Sequence, residues 1–229
     1  MERQLEPEVM DTLQDATDYA AMDHTLPNRS FVDRLKSLMP TIAPGATCHM
    51  LDLGTGPGDI PLLLAGEQPD ARITAVDLSK NMLDFARRKL AAEKDSGVSI
   101  ADRVTFQIAD VKDLPFQEHT FDAVFSNTIL HHIPDPSRML CEAWRVLKPN
   151  GALLIRDLFR PADELTLDQL VTKHAGADTL PQRNMFRDSL HAALTPDELR
   201  KIAHDLKMDR CDVVIDSDRH MSLQTSSSA

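Results

Sequence analysis

The sequence contains few aromatic residues: they make up 4% of its 229 residues, with one tryptophan and one tyrosine. Its core must therefore rely on leucine, isoleucine, valine, alanine and methionine. Cysteine is also scarce, because only Cys48, Cys141 and Cys211 occur and no two of them form a C-x-x-C pair. This spacing argues against a disulfide framework or a zinc site, and it favours a reducing, cytoplasmic location.

Long apolar runs are absent as well, since none approaches the roughly 18 residues of a membrane-spanning helix. The segment from Met1 to Met10 is charged, so no signal peptide is visible. Acidic residues outnumber basic ones, 36 to 25, and the net charge is -11. Because a phosphate backbone repels such a chain, we do not expect a nucleic-acid partner.

The length suits a single α/β domain with a small appended element. Residues 1–44 are predicted to form an N-terminal helical cap, with helices over Asp11–Ala21 and Ser30–Leu38. Ser30 is expected to cap the second helix. Residues 45–229 would form the main domain.

Within the main domain, short apolar strands alternate with helices. Strands are predicted at Cys48–Leu53, Arg72–Asp77, Arg103–Ile108, Phe121–Ser126 and Ala152–Asp157. Helices are predicted over Gly58–Ala65, after a cap at Ser79, and over Pro136–Leu147, with a turn at 148–151 ending the last one. This alternation predicts an α/β fold with a mostly parallel sheet and helices on both faces.

The C-terminal part has a different pattern. Residues 160–194 are amphipathic and irregular, which suggests a substrate lid of helices and loops over the ligand edge of the sheet. Thr195, with Glu198 three residues later, is typical of a capped helix start. Two further strands, Asp212–Ile215 and His220–Gln224, are predicted to form a closing hairpin.

A glycine-rich loop follows the first strand and carries the strongest functional signal. It contains Gly54, Thr55, Gly56 and Gly58, and Asp52 precedes it by two residues. Glycines allow a sharp turn and the close approach of a ligand to the backbone. The loop differs from the G-x-G-x-x-G dinucleotide pattern, and Asp52 would repel a pyrophosphate. The acid suits a ligand that carries an amino group.

Two more acids follow strands of the same sheet. Asp77 ends the second strand, where a carboxylate accepts hydrogen bonds from ribose hydroxyls. Asp110 follows the third strand and is placed to accept from an adenine amino group. Each acid alone is also compatible with a cap or a turn. Together, at the carboxyl ends of parallel strands, they predict a nucleoside site.

These motifs form a set with Val76–Ser79, Leu114–Phe116, Phe121–Val124, Leu130–Ile133 and Arg145–Ala152. In this order they resemble the class I (Rossmann-like) S-adenosylmethionine-dependent methyltransferases, especially the branch with the ubiquinone/menaquinone C-methyltransferases. The resemblance covers residues 48–158, about half of the chain. It implies a seven-stranded sheet whose last strand is antiparallel, and S-adenosyl-L-methionine as the cofactor.

The resemblance also implies roles for individual residues. The loop from Gly54 to Gly58 would approach the methionine part of the cofactor, and Asp52 its amino group. Asp77 would hold the ribose. The remaining positions assigned to the cofactor are Leu78 and Met82, Asp110 and Val111 on either side of adenine, and Ser126 and Asn127 near the transferable methyl group.

His131 and His132 are the catalytic candidates, because they lie near the reacting edge of the predicted sheet. One of them would act as a base or orient the acceptor, and the alternative is a packing or capping role. A metal site from these two with His24 and His191 lacks any ligand spacing, so no metal is expected.

Five residues are candidates for the acceptor: Tyr19, Arg29, Arg156, Arg187 and His191. Tyr19 is the only tyrosine and would belong to a lid segment. Arginines beside the pocket suit an anionic acceptor, because a guanidinium binds carboxylate or phosphate in a bidentate manner. The alternative is a salt-bridged lid in which Asp157 and Asp188 neutralise them.

The sequence thus predicts methyl transfer to a small molecule. One alternative is an RNA or protein methyltransferase, which would need a basic face beside Gly54. A second is a cofactor-binding scaffold without transferase activity. A quinone acceptor is not favoured, because the chain lacks aromatic bulk for a prenyl tail. The oligomeric state stays open between monomer and homodimer.

Overall fold

The fold follows from a computed structural model that describes residues 1–7, 17, 25–39, 43, 45–93 and 99–225. The strands are β1 (Cys48–Leu53), β2 (Ala71–Asp77), β3 (Val104–Ile108), β4 (Phe121–Asn127), β5 (Leu147–Leu158), β6 (Cys211–Ile215) and β7 (His220–Thr225). In these ranges the α-helices are α1 (Thr25–Leu38), α2 (Asp59–Glu67), α3 (Lys80–Ala92), α4 (Pro136–Val146), α5 (Glu164–Ala175), α6 (Leu180–Ala192) and α7 (Pro196–Asp205).

The seven strands form one sheet in the order β3-β2-β1-β4-β5-β7-β6. Neighbouring strands are parallel except that β7 runs antiparallel to both β5 and β6. This confirms the predicted Rossmann-like sheet and its antiparallel last strand. The strand order reverses at β1 and β4, so their carboxyl ends flank the crevice where open α/β sheets bind ligands.

Helices cover both faces of the sheet, because alternate strand residues point to opposite sides. On one face, Met50 and Phe125 pack with Phe31 of α1 and with α2 and α3. On the other face, Leu51 and Val124 pack with α4 and α7. Asp52 shares the side of Met50, so a carboxylate ends an otherwise apolar row.

Two predicted helix caps are confirmed. The Ser79 hydroxyl accepts a hydrogen bond from the Met82 amide at 3.3 Å and starts α3. Thr195 and Glu198 form a reciprocal capping box at the start of α7. Both caps satisfy amide groups that a helix start leaves without partners.

The structure corrects two local predictions. The helix expected to begin at Ser30 begins at Thr25, so Ser30 lies inside α1 and is no cap. The segment 148–151, expected as a turn, belongs to β5, which starts at Leu147 where this residue pairs with Phe121. Tertiary pairing outweighs the local turn preference of Pro-Asn-Gly at this sheet position.

The region 160–194 forms α5 and α6, which pack together through a small apolar cluster that includes Leu167 and Leu190. The cluster also contains Leu158 at the end of β5, so these helices lie at the carboxyl edge of the sheet. Of the predicted helix over Asp11–Ala21, all but Thr17 lies outside the described residues. The division into a cap and a main domain stays a prediction.

None of the helices in the described ranges combines the length and apolar character that a membrane crossing requires.

Candidate functional site

The glycine loop connects β1 to α2 in a conformation that depends on its glycines. Gly54, Gly56 and Gly58 have φ values of 70°, 53° and 80°, in the left-handed region. A Cβ atom on Gly54 would lie 2.5 Å from the Ile129 side chain, and one on Gly58 would lie 2.7 Å from Ala86. The loop therefore passes close to its neighbours, and Gly58 serves packing.

Asp52 lies at the end of β1 and is buried. Its Oδ2 atom has no hydrogen-bond partner among the described residues. Burial raises the pKa of this carboxyl to about 7, with a smaller contribution from the Asp77 charge, although the Thr55 hydroxyl opposes the rise. A buried carboxylate oxygen without a donor is costly unless a ligand supplies one, so this atom fits an ammonium group.

Asp77 lies opposite the loop at the end of β2. Its carboxylate accepts hydrogen bonds from the Gly56 amide and from the Ser79 amide, both at 2.8 Å. The same acid therefore fixes the glycine loop and the start of α3. Its side chain also lines a cavity at the carboxyl edge of the sheet.

Asp110 follows β3 and, unlike Asp52, is partly exposed. Partial burial by itself would raise its pKa, but the amide and the ammonium of Lys112 outweigh this effect and lower it. The Lys112 ammonium lies 3.0 Å from the Asp110 carboxylate. The carboxylate is thus a charged group beside Val111, and the latter faces the cavity.

The cavity has a volume of about 690 Å³ and opens where the strands end. Among its lining residues are the predicted positions Asp52, Gly54, Thr55, Gly56, Asp77, Leu78, Met82, Val111, Asn127, His131, His132 and Arg156. Three other predicted cofactor positions, Gly58, Asp110 and Ser126, are not among the lining residues. The volume lies in the range of small-molecule sites, roughly 300–1,000 Å³.

The second end of the cavity contains a histidine held by a carboxylate. His131 is buried, and its Nδ1 atom lies 2.5 Å from Oδ1 of Asp157, at the end of β5. The other carboxylate oxygen of Asp157 accepts from the His131 amide at 2.8 Å. Asp157 therefore fixes both the backbone and the ring of His131, and directs Nε2 away from itself.

Burial alone would lower the pKa of His131, but the carboxylates of Asp157 and Glu6 outweigh burial and raise it. His132 behaves in the opposite way, since burial and the neighbouring His131 charge lower its pKa to about 4. The two rings lie 4.3 Å apart between centroids. Two adjacent histidines thus favour different protonation states.

The segment Met1–Pro7, the N-terminal strap, lies beside His131 and His132. The Arg3 guanidinium donates to four carbonyls, those of His131, Ile133, Pro134 and Ala192. The Gln4 amide donates to the His191 carbonyl at 3.1 Å. These bonds place the Glu6 carboxylate 3.2 Å from Nε2 of His131.

Arg156 is the predicted acceptor residue that faces the cavity. Its Nε donates to the Asn127 side chain at 2.9 Å, and its Nη2 donates to the Pro27 carbonyl at 3.0 Å. The guanidinium also stacks over Phe31. No described carboxylate lies within ion-pair distance of this buried cation. The cation therefore suits an anionic group of a ligand.

Of the other predicted acceptor residues, the described ones are absent from the cavity lining. Arg29 is paired with Glu67, and Arg187 with Asp168 and Glu164. His191 is buried beside α5, and its Nδ1 has no hydrogen-bond partner among the described residues. Tyr19 lies outside the described residues. The structure thus brings Arg156 to the cavity and engages Arg29 and Arg187 in ion pairs elsewhere.

Several residues in the cavity lining or in contact with His131 have no signal in the sequence. Glu6 and Asp157 approach His131 from opposite ends of the chain, so no local pattern links them. Arg219 and His220, before and at the start of β7, also face the cavity. The pairing of β7 with β5 brings them beside Arg156, whereas the sequence predicts only a hairpin that closes the sheet.

Comparison with known proteins supports the resemblance to methyltransferases. Residues 51–155 match the family model for the methyltransferase domain. Over 122 residues the chain is 37% identical to a ubiquinone/menaquinone biosynthesis C-methyltransferase of Desulfotalea psychrophila, covering 53% of this chain and 46% of the relative. Residues 51–155 are thus similar to a methyltransferase domain. The matched segment contains the glycine loop and most of the stretch from β1 to β5.

Solved structures agree on the fold. A methyltransferase from Aquifex aeolicus matches with a TM-score of 0.65 and 16% identity, covering 95% of this chain and 99% of its own. A phosphoethanolamine N-methyltransferase of Haemonchus contortus, in complex with phosphomonomethylethanolamine and S-adenosylhomocysteine, matches with a TM-score of 0.61 and 24% identity. That match covers 83% of this chain and 38% of the Haemonchus chain. The chain spans about half the length of the curated relatives it matches.

Proposed function

We propose that the protein is an S-adenosylmethionine-dependent methyltransferase that acts on a small-molecule acceptor. The observation that carries the proposal is the shared cavity. One end has the glycine loop with Asp52 and Asp77, and the other has His131 and Arg156. A cofactor at the first end would therefore point its reactive group towards polar side chains at the second.

The cofactor end fits S-adenosylmethionine in three respects. The unpartnered oxygen of Asp52 suits the ammonium group of the methionine part. Asp77 suits the ribose hydroxyls, since its carboxylate lies at the end of β2. Leu78, Met82 and Val111 offer apolar contacts for the adenine, with the Asp110 carboxylate behind Val111.

Bound S-adenosylmethionine supplies an electrophilic methyl group, and the protein then has to position the acceptor in line with it. We propose that His131 and His132 contact the polar group of the acceptor that receives the methyl. Asp157 holds the His131 ring in one orientation. Because positioning alone supplies a large part of such a rate enhancement, this rigidity is useful to the reaction.

The acceptor is further proposed to carry an anionic group. Arg156 is the buried cation of the cavity without a described carboxylate partner, and Arg219 lies on the same side. Helices α5 and α6, with His174 and Phe186, enclose this end of the cavity. The enclosure and the net charge of -11 favour a small acceptor over a nucleic acid. A cytoplasmic location, suggested by three free cysteines, belongs to this proposal.

Calorimetry with S-adenosylmethionine and S-adenosylhomocysteine tests the proposal. We expect micromolar dissociation constants for both. Asp77→Ala should weaken binding about 10- to 100-fold, because it removes the charged acceptor and releases the Gly56 amide. Asp70→Ala, at an exposed position before β2, is the matched control and should bind normally.

If neither compound binds to the folded protein, the proposed function is refuted. If Asp77→Ala binds S-adenosylmethionine with unchanged affinity, Asp77 does not contact the ribose, but the proposed function still stands. A panel of small acids, phosphates, amines and phenols is then offered as methyl acceptors. Methyl transfer to any of them is detected as the formation of S-adenosylhomocysteine. Binding without turnover across that panel would favour a cofactor-binding scaffold.

A further inference from the structure

Three side chains from distant parts of the sequence meet at the acceptor end of the cavity. Glu6 of the N-terminal strap lies 3.2 Å from Nε2 of His131 and 3.3 Å from Nδ1 of His132, measured from its Oε1 atom. The three donor atoms lie within 4.8 Å of one another. Two imidazoles and one carboxylate form a common ligand set for divalent transition metals.

We propose that Glu6, His131 and His132 form a binding site for a divalent transition-metal ion such as Zn²⁺. Tetrahedral coordination at metal distances of about 2.0–2.1 Å requires ligand atoms about 3.3 Å apart. The separations of 3.2 Å and 3.3 Å from Glu6 to the two imidazole nitrogens meet this requirement. Two neutral imidazoles and one carboxylate leave one positive charge on the ion, which suits an anionic or hydroxyl ligand at the open position.

The surroundings of His131 match those of metal-binding histidines. Such a residue usually donates its second ring N–H to a carboxylate, which fixes the tautomer and aims the other nitrogen at the metal. In this protein, Asp157 is that carboxylate, 2.5 Å from Nδ1. It also accepts from the amides of His131 and Leu158, so it is held in place on three sides.

The third ligand is fixed by the strap. Arg3 binds four carbonyls around residues 131–134 and 192, and the Met1 ammonium donates to the Ala162 carbonyl at 3.1 Å. The Ser189 hydroxyl donates to the Glu6 carboxylate at 3.3 Å. Glu6 is therefore held before any ion binds, which lowers the entropic cost of assembling the site.

His132 must change one contact to take part. Its Nδ1 lies 3.2 Å from the Pro7 carbonyl in addition to Glu6. Metal binding requires the tautomer with hydrogen on Nε2, so that the Nδ1 lone pair faces the ion. Without an ion, an N–H···O hydrogen bond from His131 to Glu6 would occupy the same position, and the experiment has to separate the proton from the metal ion.

The site is open on one side, because His131 and His132 both line the cavity. Three protein ligands and one free position are typical of a catalytic rather than a structural zinc site. The ion would then bind an oxygen of the acceptor and polarise it. This last role rests on the proposed methyl transfer, whereas metal binding itself does not.

The test uses the full chain after dialysis against a chelator. Titration with ZnCl₂ should give saturable binding of one equivalent, and Co²⁺ should give the visible absorption of a four- or five-coordinate ion. Glu6→Gln should weaken binding about 10- to 100-fold, with an expected loss of similar size for Asp157→Asn. Glu2→Gln, an exposed position in the same strap, is the matched control.

Each outcome bears on the proposal. Zinc binding that Glu6→Gln leaves unchanged would place the ion elsewhere and overturn it, as would the lack of saturable binding below about 0.1 mM. Circular dichroism and thermal melting check that Asp157→Asn folds. Glu6 is partly exposed, so Glu6→Gln does not alter the buried core and tests the site without this risk. Calorimetry of S-adenosylmethionine with the same variants is a separate readout, so the metal site and the methyl-donor site can fail independently.

Discussion

The two ends of the cavity are built in different ways. The cofactor end consists of residues that follow β1, β2 and β3, each within a few positions of a strand end. The acceptor end combines the turn at residues 130–132, the end of β5, and helices α5 and α6, and the N-terminal strap contacts His131 beside it. The first end can be recognised from short motifs, whereas the second exists only in the assembled fold.

The chemistry of the two ends also differs. The cofactor end is acidic, with Asp52 and Asp77 beside the loop. The acceptor end has Arg156, Arg219 and four histidines along its lining. A sulfonium cofactor with an ammonium group suits the acidic end, and an anionic acceptor suits the basic one. Substitutions at each end should test this difference, with effects that range from large to small.

The largest effect is expected at Gly54. Gly54→Ala would force a Cβ into the Ile129 side chain at a φ of 70°. We expect loss of about 2–5 kcal/mol in the free energy of unfolding. Catalytic efficiency should fall roughly 100-fold because the loop is displaced. Thermal melting would measure the first effect, and steady-state kinetics the second.

Gly45→Ala is the control for backbone strain. Gly45 has a φ of 78°, but a Cβ there would meet nothing within 4 Å. It should cost some stability and leave cofactor affinity unchanged. Equal affinity in the two variants, measured by calorimetry, would mean that the loop does not approach the cofactor.

At the opposite end, Arg156→Met should raise the KM for an anionic acceptor about 10- to 100-fold. Binding of S-adenosylmethionine should change little, because the Arg156 guanidinium donates to Asn127 and the Pro27 carbonyl and not to the glycine loop. Steady-state kinetics and calorimetry separate the two quantities. If the variant instead lost cofactor affinity, its guanidinium would serve the carboxylate of the methyl donor.

A pH effect is expected at Asp52, whose folded pKa of about 7 lies above the ordinary value of 3.8. Binding an ammonium requires the ionised carboxylate, so affinity for S-adenosylmethionine should rise about fivefold from pH 6 to pH 7. Asp52→Asn should bind weakly and without this pH dependence. The Asp52 carboxyl should lose its proton when the cofactor binds. Calorimetry in buffers with different heats of ionisation would detect this proton release.

The same carboxyl should affect stability in the opposite sense. Since its folded pKa is raised, its contribution is fully present below pH 3.8 and is lost as the pH rises to about 7. At pH 8, the cofactor-free Asp52→Asn protein should therefore melt at a higher temperature than the parent. The gain in the free energy of unfolding should be at most about 4 kcal/mol. A lower melting temperature at pH 8 would contradict this ionisation.

The smallest effects are expected for Arg29→Ala and Arg187→Ala. Both arginines are engaged in ion pairs away from the cavity lining, with Glu67 and Asp168 respectively. Pairs of this exposed kind contribute little to stability. We expect less than a twofold change in the kinetic constants. A large rise in KM for either variant would extend the acceptor site beyond the described cavity.

Much of the fold and of the cofactor end could be predicted from the sequence. The strands around Asp52 and Asp77, the cap at Ser79 and the box at Thr195 depend on local patterns with short-range physical causes. Twelve predicted side chains and loop positions line the cavity. Their roles as ligand contacts stay predictions until binding is measured.

The sequence by itself determined the sheet, its helices and the acids at the strand ends, because apolar periodicity and turn chemistry act between near neighbours. Tertiary structure alone decided that Glu6, His131 and Asp157 meet, since they are separated by more than 100 and by 26 positions. It also decided that Arg156 faces the cavity while Arg29 and Arg187 are paired elsewhere. Charged side chains carry no periodic signal, so only the packed chain determines which partners they find.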